Sequence, residues 1–481
     1  MKGSVKKQLT AVVLMSLIGF GSVCASDVSE KDNFYQAVNQ GVLQEKKIAP
    51  TEASWSWFSE LSLENKKALG KELEAIAKKQ GSYPKGSPEQ KIADLYVSAL
   101  DNEKRNETAP GQLKALTEPI EQATNLTELT KALQTVSEKT GTDVFVGYTA
   151  DRMPTGLRYI PRILVTAPSF TRDELEKEPQ PGAWKAYRNY VAHVLEEAGE
   201  TPDKASAHSE AIFAMEQKLG PSLLTSEQRN DVTIQNRLVS QGELKKLMPN
   251  MGAQTILAGL DLTKEKQFFL SNPDYLQQFD ALYTADNLDL LKSYAVFQVY
   301  NGFAPSAYIK LRDLQRDYLR QRFGIAKARD DKETASRMVQ SMLSYEVGQI
   351  YMQNHSTAAV VDDVKDMIRE IRDVYKLRLE ANDWLSPKTR AKAIEKLNSL
   401  RVFVGGPAAD DKPIIESMPD VIAPEDGGDL LTNIMHNGVL ERQQVHALLG
   451  TNFNPNKWYA FDPQDVNAAY IPENKDRKSV V

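Results

Sequence analysis

The sequence predicts a mainly α fold, a large multi-helix region filling most of the chain and followed near its end by short β strands. Three observations predict it. Apolar residues recur at three- and four-residue steps through much of residues 60–400, Gly-Pro and Asn-Pro pairs punctuate that series, and clear two-residue alternation comes only late in the chain. At 481 residues there is length for more than one core. Hydrophobic residues make up 41% and charged residues 26%, which excludes a collagen-like or disordered chain.

In chain order, residues 1–25 read as a bacterial secretory signal peptide. Lys2, Lys6 and Lys7 precede an apolar run from Leu9 to Phe20, and Val23-Cys24-Ala25 closes it with small residues. The run is short for a membrane span, and no later one approaches the roughly 18 apolar residues that a span needs. Without this segment the net charge moves from −6 to about −9, which argues against nucleic acid or an anionic membrane as partner. Cys24 is the single cysteine, so the exported chain has neither a disulfide nor thiolate chemistry.

Trp55, Trp57, Phe58 and Leu61 predict core or interlobe packing. Residues 89–100 place Ile92, Leu95, Tyr96 and Ala99 on one helical face, and residues 205–219 do the same with Ala211, Ile212, Met215 and Leu219. The clearest helix spans residues 361–379, where Val361, Val364, Met367, Ile368, Ile371, Val374 and Tyr375 form a stripe expected to face a core. Ser386-Pro387 starts another helix through Leu397. Residues 401–404 predict a strand ended by Gly405-Gly406-Pro407, residues 406–430 a loop, and residues 431–450 a helix.

Last comes Val466-Asn467-Ala468-Ala469-Tyr470, an alternating run that predicts a half-exposed strand beside a groove. An extended peptide can add to such an edge, main-chain bonds giving affinity while a side-chain amide such as that of Asn467 fixes register. From the residues alone, a plain edge strand is the commoner explanation.

Catalytic chemistry is sparse. A zinc hydrolase needs two or three fixed ligands and a carboxylate base, most compactly as His-Glu-x-x-His on a helix, and that motif is absent. The only histidines are His193, His208, His355, His436 and His446, none at ligand spacing from another. No Gly-x-Ser-x-Gly elbow and no phosphate-cradling glycine loop occurs either.

Several stretches nonetheless resemble one family. They are Asp32-x-Phe34-Tyr35-x-x-Val38-Asn39, Gln90-Lys91-x-x-Asp94-Leu95-Tyr96, the series Trp384-Leu385, Thr389-Arg390, Ala393, Lys396-Leu397, Gly405 and Pro407, and Val466-Asn467-Ala468. Together they are similar to the neprilysin and endothelin-converting-enzyme family of zinc metalloendopeptidases, which includes bacterial periplasmic and secreted oligopeptidases. Gln40 and Val42 stand where that family has Gly and Trp, and Ala469 where it has Tyr.

The resemblance implies a helical substrate-enclosing lobe followed by the first strands of a thermolysin-like α+β catalytic lobe that is incomplete. Its expected divisions are a signal peptide at 1–25, an N-terminal segment between lobes at 26–60, the helical domain at 61–404 and the start of the catalytic domain at 405–481. It implies substrate-binding roles for Asn467 and Ala468, peptides as substrates, and zinc as the cofactor of the complete family enzyme. This chain is expected to hold no zinc and to be inactive alone, as a premature stop, frameshift or split reading frame would leave it. A complementing fragment in trans, or a non-catalytic peptide-binding or scaffold protein, are the alternatives. The signal implies a periplasmic or secreted location.

Overall fold

Capping chemistry sets where most helices begin. Ser87 accepts from the Gln90 N–H with Pro88 next in line, Asn272 accepts from Tyr275 ahead of Pro273, and Ser386 accepts from Thr389 ahead of Pro387. The computed structural model describes residues 28–153, 157–407, 412–454, 456–458 and 461–469. The signal segment and Tyr470 lie outside them.

The helices and strands run α1 (Phe34–Glu45), α2 (Trp57–Ala77), α3 (Pro88–Leu100), α4 (Asn102–Gln122), α5 (Leu126–Thr140), β1 (Val146–Arg152), β2 (Tyr159–Val165), α6 (Arg172–Glu176), α7 (Ala183–Ala198) and α8 (Pro202–Leu219). They continue through α9 (Ser226–Asn230), α10 (Val232–Gln235), β3 (Leu238–Ser240), α11 (Gln241–Leu247), α12 (Ala253–Gly259), β4 (Gln267–Phe269), α13 (Pro273–Asp280), α14 (Leu288–Phe303) and α15 (Ile309–Phe323). After these come α16 (Asp331–Met342), α17 (Ser344–His355), α18 (Ala358–Glu380), α19 (Pro387–Asn398) and α20 (Leu430–Leu448). The fold is therefore mainly α. Its small sheet has the order β1-β2-β4-β3, with an antiparallel β1/β2 hairpin in which Tyr148 faces Ile163. That sheet sits inside the helical region, where the sequence predicts helices alone.

Two cores form. The larger gathers α4, α5, α7, α8, α14 and the β1/β2 hairpin around Phe145, Tyr187, Phe279, Tyr294 and Phe297. The smaller joins α2, α3, α16 and α17 through Leu69, Leu73, Ile92, Leu95, Val339 and Val347. Helix α20 serves both, because Leu430 enters the smaller core and Leu431 the larger. Its seat needs two glycines. A Cβ on Gly141, which has φ 69°, would lie 2.0 Å from the Gly438 carbonyl oxygen, and one on Gly438 would lie 2.2 Å from that of Thr140.

Arg105 at the start of α4 ties the cores together. It is 2% exposed, and its Nε and Nη2 donate to the Ala307 carbonyl at 2.9 and 2.6 Å. Nη2 also donates to Pro305 at 2.9 Å, while Nη1 donates to Ala99 in the smaller core at 3.2 Å. Burial, with Arg312 adding repulsion, lowers its pKa to about 10, so the guanidinium stays charged at neutral pH.

Three expectations are corrected. The α18 helix forms, but none of its residues is buried, with Ile371 56% exposed and Trp384 beyond it 78% exposed. Amphipathic periodicity reports that a face is apolar, not that something covers it. Trp57 is likewise 58% exposed, and with Trp55 it makes an edge-on pair under the Lys46 ammonium, which removes the core half of that expectation. Residues 401–404 and 466–469 are irregular apart from one bridge at Phe403, since no neighbouring strand among the described residues completes a ladder.

Replacing Arg105 by Met leaves carbonyls of both cores without a donor in a dry site. The expected loss is about 3 kcal/mol or more in urea unfolding, and an unchanged midpoint would contradict this role.

Glu216 gives a second test. Its fully buried carboxylate accepts from the Tyr187 hydroxyl at 2.9 Å and the Ser169 N–H at 3.3 Å, yet burial outweighs both and pushes its pKa from 4.5 up to about 8. Between those values the folded protein holds a proton that the unfolded chain has lost, so stability falls as pH rises. The slope reaches at most about 1.4 kcal/mol per pH unit. Glu216→Gln should flatten that slope in unfolding measured from about pH 5 to 8.

Candidate functional site

In the segment from Trp458 to Ala469, Trp458 and residues 461–465 lie beside a cavity of about 310 Å³ whose walls include Ser344, Glu346, Pro407, Ile415, Trp458 and Asp462, with Pro463 and Gln464 against α17. Contacts from elements far away in sequence hold the segment there. Asn65 on α2 donates to the Gln464 carbonyl at 2.6 Å, and Gln464 Nε2 donates to the Ser344 carbonyl at 3.1 Å. Phe403 meets Trp458 edge-on at 5.9 Å, and the Trp458 indole donates to the Phe461 carbonyl. Gly348 makes room, since a Cβ there would come 2.7 Å from Pro463 Cδ.

The cavity mixes apolar walls with carboxylates. Glu346 pairs with Lys91 at 2.8 Å, both side chains being largely buried. Burial raises the pKa of Asp462, Asp465 adds to the shift by repulsion, and a hydrogen bond with Ser344 opposes it.

Asn467 and Ala468 lie at the outer end of this segment, both exposed. The Asn467 Oδ1 accepts from the Ala468 N–H at 2.8 Å. Among the described residues, no other hydrogen bond engages the backbone of 466–469. The remaining N–H and C=O groups of this run, which follows the groove-lining Asp465, can accept an extended peptide. Asn65, Ser344, Gly348 and Gln464 were not legible as site residues. Asn65 and Gln464 stand 399 positions apart, and no local pattern links them.

The histidines do not converge. His355 meets Glu72 at 2.6 Å, His436 meets Asp420 at 3.2 Å, and His446 lies 3.0 Å from the Tyr148 hydroxyl. His193 is exposed on α7. His208 is held between Glu200 at 2.9 Å and Asp289 at 3.1 Å, with the Glu200 hydrogen bond foremost in raising its pKa. All five histidines are described, and no three His, Cys, Asp or Glu among the described residues form a metal-holding group. The described side chains therefore do not by themselves assemble a catalytic zinc centre.

The fold is that of zinc metalloproteases. It matches the inhibitor complex of the zinc metalloprotease Zmp1 from Mycobacterium tuberculosis with a TM-score of 0.80 at 22% identity, over 95% of this chain and 69% of that one. PepO from Lactobacillus rhamnosis HN001 matches with a TM-score of 0.80 at 21% identity, over 94% of this chain and 70% of that one. The chain belongs to peptidase family M13, whose model matches residues 30–407. Among its relatives, the neutral endopeptidase of Lactococcus lactis strain IL1403 is 24% identical over 92% of this chain and 70% of its own length. Human endothelin-converting enzyme-like 1 is 25% identical over 66% of this chain and 42% of its own length.

Gly348→Ala should force Pro463 off α17. The expected result is a loss of about 1–3 kcal/mol and faster proteolytic cutting after Phe453 than in the parent chain. Equal resistance would remove Gly348 from the description of this site.

Proposed function

We propose that this chain is the peptide-capturing part of a neprilysin-like zinc metalloendopeptidase exported to the bacterial envelope, and that alone it binds peptides without cutting them. The backbone of residues 466–469, which among the described residues has only the Ala468 N–H bonded and which follows the groove-lining Asp465, carries this proposal. An extended peptide would pair with that backbone, and the Asn467 amide, turned from Ala468 towards the peptide, would fix its register. Val23-Cys24-Ala25 and the run before it support export.

In the family's zinc enzymes the metal would activate the attacking water. The described side chains do not supply its ligands, and in this reading hydrolysis takes them from a complementing segment. The bare apolar stripe of α18 favours such a segment over a purely non-catalytic scaffold.

The test uses a fluorogenic, unstructured oligopeptide. The purified chain should bind it saturably, Asn467→Ala should weaken binding about fivefold, or ~1 kcal/mol, and turnover should start only when a zinc-helix fragment is added. Chelator-sensitive cleavage by the chain alone would overturn the proposal. Binding unaffected by Asn467→Ala would move peptide capture to another surface.

A further inference from the structure

A second cavity, of about 280 Å³, lies between α15, the 325–329 loop and α16, away from the groove beside α17. Six cations line it, namely Arg312, Arg316, Arg320, Lys327, Arg329 and Arg337, and no carboxylate does. Its floor is apolar, made by Leu319, Ile325, Ala328 and Met338. The volume is near the lower end of the range for small-molecule sites, about 300–1,000 Å³.

Acids that pair with these arginines stand outside the cavity lining. Arg312 meets Asp313 at 3.0 Å and Asp331 at 3.1 Å, Arg316 meets Asp313 at 3.4 Å, Arg320 meets Asp317 at 3.2 Å, and Glu52 and Glu333 both pair with Arg329, at 3.1 and 3.5 Å, and with Arg337, each at 3.0 Å. These bonds fix the guanidinium planes and leave donors over. Among the described residues, no hydrogen bond engages Nη1 of Arg329 or of Arg337, and Lys327 has no carboxylate at ion-pair distance. Two oriented Nη1 groups and the Lys327 ammonium beside apolar side chains suit an anionic head joined to a hydrocarbon body.

We propose that this cavity binds an amphiphilic small molecule, a carboxylate or phosphate ester whose head meets the Nη1 groups of Arg329 and Arg337 and the Lys327 ammonium while its chain lies on Leu319, Ile325 and Met338. The occupant would also brace the N-terminal turn. Glu52 sits under the same two arginines, the Thr51 carbonyl accepts from Arg329 at 3.1 Å, and the Pro50 carbonyl accepts from the Lys327 N–H at 2.8 Å.

The experiment is titration calorimetry on the full chain with octanoate and octyl phosphate, using octanamide and inorganic phosphate as controls. Saturable 1:1 binding of either amphiphile, at least about tenfold tighter than both controls, is expected. Lys327 is exposed and unpaired, so Lys327→Glu should weaken that binding about tenfold without shifting the melting temperature. Arg320→Gln at the rim should weaken it in the same direction. The proposal is overturned if neither amphiphile binds, if octanamide matches octanoate, if inorganic phosphate matches octyl phosphate, or if Lys327→Glu binds as the parent does. Better binding of octanoate would assign the head as a carboxylate, and better binding of octyl phosphate as a phosphate ester.

Discussion

One buried guanidinium holds the two cores in register. Arg105 reaches carbonyl oxygens of Ala99 on one side and of Pro305 and Ala307 on the other, with no carboxylate among the groups that it bonds. Burying a charge is costly unless each donor finds a partner, and these carbonyls are the partners. They are also the exposed dipoles of a helix end and a tight turn, which would otherwise be left dry. The same bonds set where α4 leaves α3 and where α14 turns into α15. Those two turns position α15 and α16, and so the cationic cavity.

Local chemistry was legible where a few neighbouring residues decide the outcome. Ser87-Pro88 and Ser386-Pro387 start helices as their order implies, and Ile92, Leu95, Tyr96 and Ala99 are buried as their spacing implies. Long-range pairing was not legible. The strands β3 and β4 are three residues each, too short for alternation to register, and they exist because Arg162 of β2 aligns with Phe269 of β4. Burial of a stripe is also a property of two elements. The α18 periodicity was clear, yet the surface that it faces is not set by α18.

For the site, the sequence located the segment but not what holds it. Residues 466–468 stood out through their likeness to a family strand, whereas the anchors Asn65, Ser344 and Gly348 lie on helices whose patterns concern packing alone. The two candidate surfaces differ in physical character. The groove beside α17 offers unpaired backbone and a carboxylate whose charged form burial disfavours, which suits a neutral extended chain. The cavity beside α15 offers fixed positive charge over hydrocarbon.

The double allegiance of α20 has a consequence for how the polypeptide reaches this shape. Many of its partners were synthesised much earlier, from Leu69 in α2 to Val347 in α17, and Gly438 closes onto Gly141 from nearly three hundred positions away. Neither core is sealed while residues 430–448 remain within the ribosome. Completion thus depends on contacts of very high sequence separation, which form slowly. A nascent chain of this design stays loose until residues 430–448 emerge, a state that is costly where chaperones are scarce.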